Sequence, residues 1–128
     1  MATFLSTDWL ADLTTALNVH AGFKGAIASV HLTLQFAVPD APAAAESRYY
    51  IDIAEGKALA APGDADGPDA TITNTYETSV AMSKGELNTQ MAFMTGKIKV
   101  TGNMAKLMMN QAMLTQFAAA ASGVKVDY

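Results

Sequence analysis

Apolar and polar residues alternate one for one in the run Val30, Leu32, Leu34 and Phe36, with His31, Thr33 and Gln35 between them. A period of two marks a strand with one buried face. Such a face needs a second layer to cover it, which constrains the whole fold. The period recurs from Arg48 to Ala54, where Tyr49, Ile51 and Ile53 oppose Arg48, Tyr50 and Asp52. Glu55-Gly56 then turns the chain into a third run, Lys57 to Ala61, a hairpin signal. Ala70, Ile72 and Asn74 alternate with Thr71 and Thr73 in a fourth strand, and Lys97 to Thr101 is a fifth, charged on one face and β-branched on the other. Pro39 to Ala45 cannot continue a ladder and reads as a mobile connection, and Pro62 to Asp69 is a turn-rich loop.

The covering layer is helical. Trp9, Leu13, Ala16, Leu17 and His20 share one side of a helix over Ser6 to His20, with Ser6 or Thr7 as N-cap and Asp8 and Asp12 near its positive end. Gly22 and Gly25 flank a break after it. Two short helices are predicted over Tyr76 to Ser83 and Thr89 to Thr95. Thr75 and Asn88 stand where N-caps are wanted, and Gly85 and Gly96 where a left-handed C-cap is wanted. Gly102-Asn103 opens one longer helix from Met104 to about Ala120. The expected fold is α+β, with helices gathered on one sheet face, in a single domain over residues 1–128.

With 51% apolar and 16% charged residues the chain should fold compactly. It has no cysteine, which excludes disulfides, thiolate zinc sites and cysteine nucleophiles. Met1 to Leu10 has no secretory pattern, and no apolar run approaches the roughly 18 residues that span a bilayer, so a soluble, cytoplasmic protein is expected. A net charge of −4 argues against a nucleic-acid partner. Lys84, Lys97, Lys99 and Lys106 nevertheless face only Glu86 within their stretch. Lys97 and Lys99 share the outward phase of one strand and could draw the protein to an anionic membrane, or serve only to discourage edge pairing.

Seven of eight methionines fall between Met82 and Met113. Methionine is flexible and polarizable, and suits surfaces that accept more than one apolar shape, although it also packs ordinary cores. The last helix carries Met104, Leu107, Met108, Met109, Ala112, Met113, Leu114 and Phe117, more than a single stripe requires. A buried central helix, a dimer interface and a lid over an apolar ligand all account for it. A ligand-sized void in a small domain would consume much of its stability, so such space is either collapsed or filled by a guest.

No catalytic constellation, cofactor motif or metal site is expected. Nothing in the spacing converges on His20 or His31. Nucleophile-elbow, Walker and dinucleotide motifs are absent. Asp64, Asp66 and Asp69 lack the ligand order of a calcium loop and read as an acidic turn.

The run Pro68-Asp69-Ala70-Thr71-Ile72-Thr73, followed by Leu87-Asn88-Thr89-Gln90-Met91-Ala92-Phe93-Met94-Thr95-Gly96-Lys97-Ile98-Lys99-Val100-Thr101-Gly102-Asn103-Met104, closely resembles the sterol carrier protein 2 domain. The resemblance implies a five-stranded, largely antiparallel sheet whose helices enclose an apolar tunnel for fatty acids, acyl-CoAs, phospholipids or sterols. It implies a lining of Leu32, Leu34, Phe36, Ile51, Ile53, Ile72, Ile98 and Val100 from strands and Met91, Met94, Met104 and Met108 from helices, with Met113 and Phe117 in a C-terminal lid. An aromatic often found in the second strand would be Tyr49 or Tyr50, and Val126-Asp127-Tyr128 is not the peroxisomal tail of some members. The expected function is non-enzymatic carriage of a hydrophobic lipid, gated by the C-terminal helix. The alternative is an accessory domain that forms a homodimer or meets a partner protein, presenting a quinone-type precursor to other enzymes.

Overall fold

The computed structural model describes residues 2–42, 45–87 and 89–127. In chain order the elements are β1 (Ala2–Thr3), α1 (Thr7–Val19), α2 (Ala21–Ile27), β2 (Leu32–Ala37), β3 (Arg48–Ala54), β4 (Lys57–Pro62), β5 (Ala70–Asn74), α3 (Tyr76–Ser83), α4 (Thr89–Met94), β6 (Ile98–Gly102), α5 (Met104–Met109), α6 (Gln111–Ser122) and β7 (Val126–Asp127). Five strands form one sheet in the order β4-β3-β2-β5-β6, antiparallel throughout except for the parallel β2/β5 pair. The expected α+β architecture with a largely antiparallel sheet is therefore present.

Register puts the alternating residues to use. Leu34 pairs with Ile51, which pairs with Ala60, and Phe36 lies between Tyr49 and Ile72, which pairs with Val100. These residues share the apolar face, whereas Arg48, Asp52 and Lys99 are exposed on the other. At the β3/β4 turn Glu55 and Gly56 both have positive φ, +55° and +72°, the combination that matches hairpin twist.

Ser6 is the N-cap of α1, its Oγ accepting from the Trp9 N–H at 3.1 Å, and the helix buries Trp9, Leu10, Leu13 and Leu17. Each such burial contributes about 1.5–3 kcal/mol. Gly85 and Gly96 take the left-handed conformation expected of them, at φ +78° and +74°. Thr75 caps α3 as expected, accepting from the Thr78 N–H at 3.2 Å. The cap expected at Asn88 and part of the connection expected to be mobile, positions 43 and 44, lie outside the described residues.

Two local readings are corrected and one strand pair is added. Gly22 and Gly25 do not break the chain but lie within α2. His20 caps that helix, its Nδ1 accepting from the Phe23 N–H at 3.0 Å, and Phe23 and Ile27, one turn apart, are fully buried. A Cβ at Gly22 would stand 2.2 Å from Gln116 Oε1, so this glycine admits a neighbouring helix instead of ending its own. Second, the helix expected from Met104 to about Ala120 is divided at Asn110, whose φ and ψ are −114° and 31°. Asn110 Nδ2 donates to the Lys106 carbonyl at 2.7 Å, a side-chain substitute for helical backbone pairing. Third, β1 and β7 form an additional parallel pair joining the ends, Ala2 to Val126 and Thr3 to Asp127. Two residues offer no periodicity to read.

Candidate lipid-binding site

Among the described residues, a larger and a smaller cavity lie between the apolar sheet face and the helices. The larger, about 320 Å³, is walled by Ile98 and Val100 of β6, by Met104, Leu107 and Met108 of α5, and by Leu114 and Ala118 of α6. The smaller, about 60 Å³, is walled by Leu34, Phe36, Tyr49 and Ile72 from the sheet and by Trp9, Ser79, Leu114, Phe117 and Ala118 among the helix residues. Ile72, Leu114 and Ala118 belong to both walls, so these three side chains form the partition between the spaces.

Local sequence explains these positions. Ile98 and Val100 point inward because β6 alternates, while Lys99 between them is exposed. Leu114 and Ala118 are one helical turn apart and share a face of α6. Asn103 starts α5 with its Oδ1 accepting from the Lys106 N–H at 3.0 Å, which sets Met104 and Met108 side by side over β6. Phe93 and Met108 wall the larger cavity yet are 44% and 60% exposed, so they form its rim. Gln111 and Thr115 supply its polar side: Gln111 Nε2 donates to Met108 Sδ at 3.5 Å and Thr115 Oγ1 to the Gln111 carbonyl at 3.1 Å.

An aromatic stack stiffens the smaller cavity. The Phe36 and Tyr49 rings lie 4.8 Å apart at 2°, Trp9 meets Tyr49 edge-on at 5.7 Å, and Phe117 lies 6.2 Å from Phe36. Burial alone holds the Tyr49 hydroxyl far above the ordinary phenol range, so it stays protonated. Two further polar atoms in residues of this wall, Trp9 Nε1 and Ser79 Oγ, are buried without a hydrogen-bond partner. Each such orphan costs about 1–3 kcal/mol.

The residues proposed from sequence separate into groups. Ile72, Ile98, Val100, Met104 and Met108 wall the larger cavity, and Leu34, Phe36 and Phe117, again with Ile72, wall the smaller. Leu32, Ile51, Ile53 and Met113 are at most 1% exposed and belong to the solid core, in neither wall. Met91 and Met94 lie on the surface of α4, 53% and 77% exposed. The sequence reading overlooked Trp9, Ser79, Phe93, Leu114 and Ala118 as wall residues. The alternation of Phe93 with Met94 and of Leu114 with Met113 held the signal, but the rotation of each helix was needed to choose.

The acidic turn is engaged elsewhere. Asp64 pairs with Arg48, and Asp69 accepts from the Thr33 N–H at 2.8 Å and from Lys106 Nζ at 3.0 Å. Those bonds, the backbone donor first, hold the Asp69 carboxyl below its usual range. Lys106 is thus committed to an ion pair, while no described carboxylate pairs with Lys97 or Lys99.

A five-stranded sheet with helices over one face and apolar cavities between the layers defines a small α+β domain with space for an apolar guest. The chain belongs to the SCP-2 sterol transfer family, whose model matches residues 13–115. It is 36% identical to sterol carrier protein 2 of Homo sapiens over 81 residues, 63% of this chain and 15% of that protein's length. The structure is similar to the sterol carrier protein domain 2 of Helicoverpa armigera, with 30% identity, a TM-score of 0.65 and coverage of 94% and 91% of the two chains. It is similar also to a crystal structure of sterol carrier protein 2, with 21% identity, a TM-score of 0.78 and coverage of 95% and 99%. Family membership supports a lipid-binding or transfer role. Among the described residues no helix is long and apolar enough to cross a membrane.

Proposed function

We propose that residues 1–128 act as one non-enzymatic, cytoplasmic carrier unit that shields a single hydrophobic lipid between sheet and helices. The observation that carries this reading is the pair of cavities whose walls share Ile72, Leu114 and Ala118. Movement of those side chains would join them into the apolar tunnel that the resemblance implies. Fatty acids, acyl-CoAs, phospholipids and sterols are the candidate cargo. Affinity comes from apolar contact at about 25 cal/mol per Å², and release from movement of α6 about Asn110. Transient contact with an anionic membrane through Lys97 and Lys99 belongs to the same reading.

Native mass spectrometry of the purified protein, followed by titration with a fluorescent fatty acid, tests it. Saturable binding that Met108→Lys abolishes supports the carrier. No uptake of fatty acids, acyl-CoAs or sterols overturns it. The alternative, a homodimerising or partner-binding accessory domain, is favoured by the exposure of Met94 and Met109 at 77% and 84%. It expects an oligomer that Met109→Lys converts to monomer.

A further inference from the structure

We propose that the smaller cavity is a polar anchor: Trp9 Nε1 and Ser79 Oγ hold a neutral hydroxyl or carbonyl oxygen of the lipid at the inner end of the site, head inward. The proposal rests on the carrier reading and narrows its ligand class.

Buried polar atoms in folded proteins nearly always have partners. Among the described residues only three buried side-chain polar atoms have none, Trp9 Nε1, Asn74 Oδ1 and Ser79 Oγ, and two of these residues stand in the wall of one cavity. Trp9 is 3% and Ser79 5% exposed, so bulk water does not serve them. They come from separate elements, α1 and α3, and neither residue is placed there by the other. Ser79 Oγ sits in a helix, where a serine commonly donates to the carbonyl one turn back; here it makes no such bond.

The chemistry of the pair selects its ligand. An indole N–H only donates, whereas a serine hydroxyl donates and accepts. A carbonyl oxygen, with two lone pairs, can accept from both; an alcohol oxygen can accept from the indole and exchange a hydrogen bond with the serine. A carboxylate or phosphate is excluded by charge, because no residue in this wall is ionised: it contains no Asp, Glu, Lys, Arg or His, and Tyr49 is protonated. The cavity of about 60 Å³ accommodates an oxygen and its neighbouring carbons, with the apolar remainder passing Ile72, Leu114 and Ala118 into the space of about 320 Å³. The opposite orientation has less to recommend it, since Gln111 and Thr115 at the larger cavity already donate within α5 and α6 and are exposed to water.

Trp9 is the only tryptophan, so the full chain gives a single indole N–H resonance and a single tryptophan emission band to follow. The experiment titrates the protein with dodecanol, 2-dodecanone, dodecane and dodecanoate at pH 8, reading displacement of a hydrophobic fluorophore and the indole proton shift. The expected result is a downfield indole shift with dodecanol and 2-dodecanone alone, and at least fivefold tighter binding of these two than of dodecane or dodecanoate. Ser79→Ala and Trp9→Phe should each remove that preference, so that within each variant dodecanol and 2-dodecanone bind no more tightly than dodecane. Ser79→Ala deletes one oxygen and keeps the helix, so it reads the anchor even where Trp9→Phe disturbs packing. Equal binding of dodecane and dodecanol, an unmoved indole proton, or dodecanoate as the tightest ligand overturns the anchor and leaves the carrier standing. Failure of all four to bind overturns the anchor, and refusal of acyl-CoAs and sterols as well overturns the carrier.

Discussion

Asn18 closes a two-way hydrogen-bonded ring onto the backbone of Ala58: its Nδ2 donates to the Ala58 carbonyl at 2.8 Å and its Oδ1 accepts from the Ala58 N–H at 2.9 Å. Four residues earlier on the same face of α1, Thr14 Oγ1 accepts from the Ala60 N–H at 2.9 Å. The outer edge of β4 is therefore capped by helix side chains, and an edge that could recruit another chain is covered. Asn18→Leu should cost about 2 kcal/mol in urea unfolding, because two backbone groups lose partners. It should also raise the tendency to aggregate, read by light scattering during heating.

Gly102 occupies the junction of β6 and β5, with φ +106° and a Cβ position 2.6 Å from the Asp69 carbonyl oxygen and 2.9 Å from Ala70 Cα. Both obstacles are backbone and cannot swing away. Gly102→Ala should destabilise the fold by about 2–4 kcal/mol through strain and overpacking together. Gly25→Ala, with nothing within 4 Å of its Cβ position, is the control and should be neutral or slightly stabilising in the same melts.

Asp69 ties β2 to α5, and its carboxyl titrates below the ordinary range. A depressed folded value means that this stabilisation is complete above the unfolded-state pKa of about 3.9 and is lost as pH falls through the lower folded value. Asp69→Asn should lower stability at pH 7 by about 1 kcal/mol and flatten its decline in acid. Urea midpoints measured from pH 7 to pH 2 check both, and parallel curves for the two proteins would refute the assignment.

Ala118 stands in the partition between the cavities. Ala118→Phe should close the passage and weaken fluorescent fatty-acid binding at least tenfold. It should also cost about 1–3 kcal/mol of stability from overpacking. Leu114→Ala should open the passage and shift preference toward longer chains. A thermal melt of each variant separates loss of the site from loss of the fold.

Lys97→Glu with Lys99→Glu should slow lipid exchange with anionic vesicles severalfold, since each lysine near such a surface contributes about 1 kcal/mol. Exchange with neutral vesicles should be unchanged. Equal rates on both would leave these lysines as guards of an edge strand and nothing more.

Met113 and Met109 lie on one apolar segment yet have opposite uses: at 1% exposure a charge at Met113 would unfold the core, whereas Met109, at 84%, can report on association. That contrast marks where sequence reasoning stops. The strands, the Glu55-Gly56 turn, the Thr75 cap and the glycines at 85 and 96 were legible in the sequence because each is a local affair, a period or a φ angle decided by neighbours in the chain. Whether Met113 or Leu114 faces open space depends on the rotation of α6, and Asn110 resets that rotation with a bond no apolar pattern announces. The passage of α2 beside Gln116, the pairing of β1 with β7 and the meeting of Trp9 with Ser79 in one wall likewise join segments far apart in the chain. The sequence determined which faces had to be buried. Only the tertiary structure decided which of those faces meet each other and which enclose a cavity, because a cavity is a property of surfaces brought together and belongs to no segment alone.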